Sequence, residues 1–217
     1  MSQEQQRNKK IAVGLDIGTT KVCILVIEEL DDQAYNILSC VSTENIGVNR
    51  GVIVNIEKTV NAIKKVTQEA EQQAGIKIKE VVAGLAGDHI ESLSEVSTIT
   101  ISNQKQIVTQ EDVGRVIDEL RKSKISADRK IIHIVPYEFI VDGQDGIINP
   151  VGMYGVRLQA NVHIVTGMRT AVQNINRCVE ENANLVLKDI VLEPIASSTA
   201  LLSEDEEEVG VCLIDIG

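Results

Sequence analysis

A short stretch near the N-terminus combines the residue types that bind phosphate. An apolar, strand-like run ends on Asp16 and is followed by Gly18, Thr19, Thr20 and Lys21. Glycine lets the backbone approach a ligand, and such a turn presents N–H groups to an anion. The hydroxyls donate hydrogen bonds, Lys21 neutralises phosphate charge, and Asp16 would contact Mg²⁺ through its water ligands. Ordinary β-hairpin turns use the same residues, so a purely structural turn stays open.

The pattern recurs at the other end of the chain. Residues 213–217 read Leu-Ile-Asp-Ile-Gly, and residues 15–18 read Leu-Asp-Ile-Gly. Each stretch places an aspartate and a glycine after an apolar run. Two such turns, facing each other across a cleft, would hold a phosphate chain from both sides. Asp215 and Gly217 are therefore further candidate binding residues.

The elements around these turns predict an α/β domain. Apolar runs and helical periodicity predict strands at 11–16, 22–27, 35–41 and 80–85, with a helix at 57–74 that ends at Gly75. Further along the chain we predict a helix at 170–183, a strand at 185–192, a helix that begins at Glu193-Pro194, an acidic surface break at 204–208 and a strand at 209–214. The order alternates as in domains built around a mainly parallel sheet.

A block of residues with a different pattern of apolar and polar side chains interrupts this order of elements. Partial apolar–polar alternation over 89–102 predicts a strand with one solvated face. Thr109 and Asp112 form a variant capping box that opens a helix. Strands follow near 131–141 and 158–166, and the stretch 142–155, rich in Gly, Asn and Pro, is interpreted as a loop. The block reads as a small sheet with one helix, inserted into the larger domain.

Composition limits the classes of function. The net charge of −11 disfavours broad binding of nucleic acid. The four cysteines show no metal-ligand spacing and are interpreted as free thiols in a reducing compartment, and the three histidines are too far apart in sequence to suggest a metal site. Residues 1–10 are polar and are interpreted as a flexible tail rather than a secretory signal. No apolar run of about 18 residues, long enough to span a membrane, occurs.

The paired strand–Asp–Gly turns resemble the two phosphate loops of the actin, Hsp70 and sugar-kinase superfamily. Within it, the chain resembles the bacterial cell-division family FtsA over nearly its whole length. The matching stretches are 14–22, 51–57, 84–90, 136–143, 149–155, 162–164, 192–196 and 210–217. The loop at 150–155, Pro-Val-Gly-Met-Tyr-Gly, is the most family-specific of them. It lies far in sequence from the phosphate motif, so generic nucleotide binding does not account for it.

The resemblance implies an actin-like, ribonuclease H-like α/β subdomain with a mixed sheet and flanking helices, plus a small inserted α+β subdomain, the SHS2 domain. It divides the chain into a tail (1–10), the first part of the actin-like subdomain (11–86), the insertion (87–167), the second part of that subdomain (168–205) and the start of a second actin-like half (206–217). The insertion would contact other protomers and later division proteins.

The resemblance also implies ATP and Mg²⁺ as cofactors. Gly18, Thr19, Thr20 and Lys21 would line the first phosphate loop, and Asp215 and Gly217 would begin the second. Asp16 and Asp215 would contact Mg²⁺ through water. Glu193 matches a Glu-Pro position that lies near Mg²⁺ and the attacking water in Hsp70-like relatives, although a helix-start acid favoured by the dipole explains it equally well.

Members of this family form filaments, bind the tubulin-like protein FtsZ and attach to the inner face of the cell membrane through a C-terminal amphipathic helix. The family pattern continues beyond Gly217, so we interpret the chain as the N-terminal half. We expect at most weak ATPase activity, and weak or no ATP binding by these 217 residues alone. Two alternatives are a small-molecule kinase of the same superfamily, for which no substrate-binding cluster is evident, and a related pilus-assembly scaffold.

Overall fold

The computed structural model describes residues 10–30, 34–123, 125–181 and 185–214. The chain divides into two compact units. The first comprises Met1–His89 and Thr170–Gly217, and the second comprises Ile90–Arg169. Within the described ranges, no helix combines the length and apolarity needed to cross a lipid bilayer.

The elements follow one another in a β-rich order. The chain begins with β1 (Lys10–Ile17), β2 (Lys21–Glu29), β3 (Tyr35–Glu44), β4 (Val48–Asn49), β5 (Val52–Ile53), α1 (Ile56–Ala74) and β6 (Glu80–Leu85). It continues with β7 (Glu91–Thr100), α2 (Gln110–Arg121), β8 (Arg129–Val141), β9 (Gln144–Ile147) and β10 (Arg157–Met168). It ends with α3 (Arg169–Glu180), β11 (Val186–Leu192), α4 (Glu193–Leu201) and α5 (Glu204–Val209).

The first unit is built on a five-stranded mixed sheet in the order β11-β6-β1-β2-β3. Strands β1, β2 and β3 form an antiparallel meander, which confirms the strands predicted at 11–16, 22–27 and 35–41. Strands β1, β6 and β11 run parallel to one another. Because parallel strands end at the same edge, the carboxyl ends of these three strands lie together, and the segments that follow them meet there.

Helix α1 covers part of one face of this sheet. Its apolar stripe includes Ile63, Val66 and Ala70, which are fully buried, and it contacts β2 and β3. The Asn55 side chain accepts a hydrogen bond from the Lys58 N–H at the N-terminus of the helix. Gly75 ends the helix in the left-handed conformation, at φ 67°. The predicted helix and its glycine stop are confirmed.

The second unit is a four-stranded sheet in the order β7-β10-β8-β9, with α2 on one face. Its core is apolar and includes Val116 and Leu120 of α2 with Leu158, Val162 and Ile164 of β10. The other face of β7 is exposed, as predicted from its alternation. The predicted capping box is present, because Thr109 and Asp112 exchange hydrogen bonds between side chain and backbone in both directions.

Three predictions of local structure are wrong. The stretch interpreted as a loop, 142–155, contains the strand β9, because Asp142 and Gly143 both have positive φ (50° and 93°) and form a two-residue hairpin between Val141 and Gln144. The acidic segment 204–208 is helical as part of α5, because Ser203 and Glu206 form a capping box.

The strand predicted at 209–214 is also absent. Residues 211–214 have no regular structure, and no described strand pairs with them. Val209 and Ile214 are 85% and 74% exposed, so their apolar side chains are not packed in a core. An apolar run becomes a strand only where a neighbour accepts its backbone hydrogen bonds.

Candidate functional site

The turn between β1 and β2 is closed by its own backbone and fixed from the protein side by Asn45. The Gly18 N–H donates to the Lys21 carbonyl at 2.9 Å. Asn45 is buried, and its side-chain amide donates to the Gly18 carbonyl at 2.8 Å while its backbone N–H donates to the Thr20 carbonyl at 2.9 Å. The Asn45 side-chain oxygen accepts from the Gly47 N–H at 3.0 Å. The conformation of the turn is therefore held by a residue well beyond it in sequence.

A second tight turn contacts the first one. Strands β4 and β5 are joined by Arg50 and Gly51, at φ 49° and 75°, in a two-residue hairpin of the type I′ kind. The Gly51 N–H donates to the Thr19 hydroxyl at 3.4 Å. A Cβ on Gly51 would lie 2.3 Å from the Ala86 carbonyl oxygen, so only glycine fits. The turn is wedged between the segments that follow β1 and β6.

Glu193 reaches the same edge of the sheet from β11. It is the first residue of α4 and follows Leu192, the last residue of β11. A Cβ on Gly84 would lie 3.0 Å from the Glu193 Cγ and 3.1 Å from its Oε1. The Glu193 side chain therefore lies across the backbone near the end of β6, where a glycine leaves room for it.

These segments surround one hollow of about 970 Å³ in the first unit. Three loops line most of it: 16–21 after β1, 50–53 around the second turn, and 84–88 at the end of β6. Ile175 and Glu193 complete the lining. Five charged residues are in this set: Asp16, Asp88 and Glu193 are acidic, and Lys21 and Arg50 are basic. The hollow therefore combines carboxylates, cations, hydroxyls and backbone N–H groups.

The structure brings most of the predicted site residues together. Six of them line the hollow: Asp16, Gly18, Thr19, Thr20, Lys21 and Glu193. Asp215 and Gly217 lie outside the described residues. The sequence analysis assigned no role to Asn45, Arg50 or Asp88. The sequence did hold a signal for the second and third loops. Gly51 and Gly84 lie in the family-like stretches 51–57 and 84–90.

Among the described residues, the neighbourhood of the hollow offers neither a reactive thiol nor a group of direct metal ligands. Burial, together with contact with the Cys40 thiol, raises the pKa of the Cys23 thiol, which faces Asp16 across the β1–β2 pair. Cys23 is thus a neutral thiol and a poor nucleophile. In the part of the chain that the structure describes, no group of three His, Cys, Asp or Glu side chains is placed to hold a metal ion directly. A magnesium ion held by phosphate and water, with carboxylates beyond the water, needs no such group.

Comparison with known proteins agrees with this architecture. The SHS2 domain inserted in FtsA matches residues 87–166. Cell division protein FtsA of Pseudomonas aeruginosa is 42% identical over 96% of this chain and 49% of its own length, and that of Escherichia coli K12 is 37% identical over 97% and 49%. A solved structure of the PilM–PilN type IV pilus biogenesis complex has a TM-score of 0.55 at 16% identity, over 88% of this chain and 49% of that one. At that identity the likeness shows the fold alone.

Fold and insertion together define an actin-like α/β protein that carries an SHS2 domain. By sequence the chain is similar to FtsA proteins over nearly its whole length, which confirms the resemblance seen in its motifs. The chain spans about half the length of the curated relatives it matches.

Proposed function

We propose that the hollow of the first unit binds the phosphates of ATP with Mg²⁺, and that this unit forms one wall of the nucleotide site. The observation that carries the proposal is the meeting of three loops at the carboxyl ends of three parallel strands, where open α/β sheets bind their ligands. The glycines at 51 and 84 keep the backbone and the Glu193 side chain close to this hollow.

The residues present suit a magnesium nucleotide. The turn at Gly18 to Lys21 offers backbone N–H groups, two hydroxyls and an ammonium to phosphate oxygens. In this proposal Asp16 accepts hydrogen bonds from water on the metal ion. Glu193 orients a water molecule toward the terminal phosphate, a role that depends on position. Asp215 and Gly217 begin the second phosphate loop.

We further propose that the whole protein acts in bacterial cell division. The support is the FtsA name of its relatives and the SHS2 insertion. In this proposal the protein polymerises at the inner face of the cell membrane, attaches there through a C-terminal helix and tethers FtsZ. Its insertion, about residues 87–167, contacts later division proteins. ATP controls the state of the polymer, and hydrolysis is slow.

Nucleotide binding is tested with the protein extended to the length of its relatives. Titration with a fluorescent ATP analogue in Mg²⁺ gives the dissociation constant of wild type, Lys21→Ala and, as a control, Lys105→Ala, an exposed lysine of the second unit. A charged hydrogen bond contributes about 1.5–3 kcal/mol, so Lys21→Ala should weaken binding about 10- to 150-fold. Lys105→Ala should bind as wild type does.

Asp16→Asn isolates the contribution of the metal ion. This variant should lose most of the gain in affinity that Mg²⁺ gives the wild type, because a neutral amide attracts hydrated magnesium less than a carboxylate does. Equal affinity of Lys21→Ala and Lys105→Ala, together with an unchanged magnesium dependence in Asp16→Asn, would show that the nucleotide is held elsewhere.

The division role is tested separately with purified components. The extended protein should sediment with vesicles that contain anionic lipid, and should carry purified FtsZ into the pellet when ATP is present. Ovalbumin in place of FtsZ is the negative control and should stay in the supernatant. FtsZ that remains in the supernatant at every ATP concentration would contradict the tethering role while leaving the nucleotide site intact.

A further inference from the structure

We infer that Arg50 is a second phosphate-binding cation of the hollow, presented by the β4–β5 turn. The inference rests on the proposed nucleotide site and adds to it a residue outside the first loop. Its basis is the juxtaposition of Arg50 with the Gly18–Lys21 turn on one hollow, together with the backbone conformation in which Arg50 is held.

The backbone of Arg50 is unusual for its residue type. At φ 49° it lies in the left-handed region, and it is the first central residue of a type I′ turn, a position where Asn, Asp or Gly is favoured. Stability alone would favour Asn-Gly over Arg-Gly in this turn. Strained backbone of this kind concentrates at functional sites, where a particular side chain is needed at that place.

The turn is held rigidly, so the position of Arg50 is well defined. The Gly51 N–H bonds to the Thr19 hydroxyl of the first turn. A Cβ on Gly87 would lie 2.8 Å from the Arg50 carbonyl oxygen, which shows how closely the segment after β6 packs against the Arg50 backbone. The backbone of the turn is thus in contact with both loops beside it, which fixes where the Arg50 side chain begins.

Electrostatics supports the same assignment. Arg50 and Lys21 are the cations among the described residues that line the hollow, and neither forms an ion pair with a described carboxylate. Three carboxylates line the same hollow, so Lys21 alone gives little attraction for a polyphosphate. A guanidinium on a fixed turn, with its fork of donors, adds both charge and geometry that match phosphate oxygens.

The decisive variant is Arg50→Asn, because it separates stability from binding. Asparagine tolerates the left-handed region, so the variant should be at least as stable toward denaturant as wild type. It lacks the charge, so its affinity for Mg²⁺·ATP should fall about tenfold or more. The loss should shrink as salt is raised, since an exposed charge contact is screened.

Gln106→Asn is the matched control. Gln106 has φ 50°, lies in the second unit and carries no charge, so the substitution relieves the same kind of strain without touching the hollow. It should leave ATP affinity unchanged. Arg50→Lys keeps the positive charge but lacks the planar fork of N–H donors. It should bind ATP more tightly than Arg50→Asn does.

The outcomes separate this inference from the proposed function. Wild-type affinity in Arg50→Asn, with Lys21→Ala weakened, overturns the role of Arg50 and leaves the nucleotide site standing. Absence of ATP binding by the wild-type extended protein overturns both. Should Arg50→Asn be unstable, Arg50→Gly takes its place, because glycine also adopts the left-handed region and carries no charge. A tenfold or larger loss of ATP affinity at full stability then supports the role of Arg50, and wild-type affinity overturns it.

Discussion

Asn45 offers the sharpest test of how the first turn is held. Its side chain makes two hydrogen bonds, one to the Gly18 carbonyl and one from the Gly47 N–H, and Asn45 is 3% exposed. Asn45→Ala removes both hydrogen bonds at once. Among the contacts described, no other side chain bonds to the Gly18 carbonyl or the Gly47 N–H. The loss of stability is therefore that of two polar groups without a protein partner.

The size of the effect follows from the burial of each group. Gly47 is buried, so its N–H loses a bond that water cannot easily replace, whereas Gly18 is partly exposed and its carbonyl can be rehydrated. An unsatisfied buried group costs about 1–3 kcal/mol, and a rehydrated one costs less. We therefore expect Asn45→Ala to lower the free energy of unfolding by about 1–4 kcal/mol. It should also weaken ATP binding, because the loop loses its fixed conformation.

Asn45→Asp dissects the two bonds. The carboxylate still accepts from the Gly47 N–H but cannot donate to the Gly18 carbonyl, and two oxygen atoms then face each other. This raises the pKa of the introduced carboxyl group above its unfolded value of about 4, because only the protonated acid can donate. The stabilising form is then present at low pH and is lost as pH rises through the raised pKa. The deficit relative to wild type should be smallest in acid.

The assay is denaturant unfolding of each variant, together with hydrogen exchange of the Gly47 amide. Exchange at Gly47 should be faster in Asn45→Ala and nearly unchanged in Asn45→Asp. Asn36→Ala, at an exposed position of β3, is the control and should change stability by less than about 0.5 kcal/mol. If Asn45→Ala matched Asn36→Ala in stability and in Gly47 exchange, Asn45 would not hold the turn and our account of the loop would be wrong.

Two further predictions concern titrating groups. Burial raises the pKa of Asp112, but hydrogen bonds from the Thr109 hydroxyl and N–H and the nearby Arg115 guanidinium outweigh it and hold that pKa below its usual range. The contribution of Asp112 to stability is therefore present above its unfolded pKa and is lost as pH falls through its folded pKa. Denaturant unfolding at several pH values should show the free energies of unfolding of wild type and Asp112→Asn converging in acid. A constant difference between the two at all pH values would contradict this prediction. Burial raises the pKa of the Cys178 thiol to about 11. Iodoacetamide at about pH 8 should therefore label the exposed Cys40 and leave Cys178 unmodified until the chain is unfolded, which mass spectrometry of peptides would show. Equal labelling rates of the two thiols in the folded protein would contradict the burial of Cys178.

Local sequence rules predicted the elements whose signals lie within a few residues. The Thr109–Asp112 capping box and the Gly75 stop mark helix ends through contacts three or four residues long, and both were predicted correctly. The two missed elements had signals of the same range. Asp142-Gly143 is a preferred type I′ dipeptide, and Ser203 with Glu206 is a capping box, but composition led to a loop and an acidic break instead.

The candidate site was predictable in its first loop and, through the family resemblance, at Glu193. Gly18 to Lys21 carries its chemistry in consecutive residues, whereas Asn45 reaches Gly18 across 27 positions of sequence. Arg50 gives no signal as a residue type, and its importance appears only when the φ angle and the packing of Gly51 against Ala86 are known. Such contacts depend on how the strands are ordered in the sheet, which residue patterns alone do not fix.

The order of the strands explains why the hollow lies where it does. Placing β6 between β1 and β11 brings the segments after these three parallel strands to one edge, and the antiparallel β2 returns from that edge through the Gly18 turn. The segments can approach closely because small residues stand where they would otherwise collide, as at Gly84 beneath the Glu193 side chain. Backbone N–H groups, carboxylates and cations therefore line one hollow. The shape of the hollow depends on how closely these backbone segments approach one another. Gly51→Ala should therefore change that shape more than removal of any single charged side chain around the hollow does, because the added methyl group would collide with the Ala86 carbonyl.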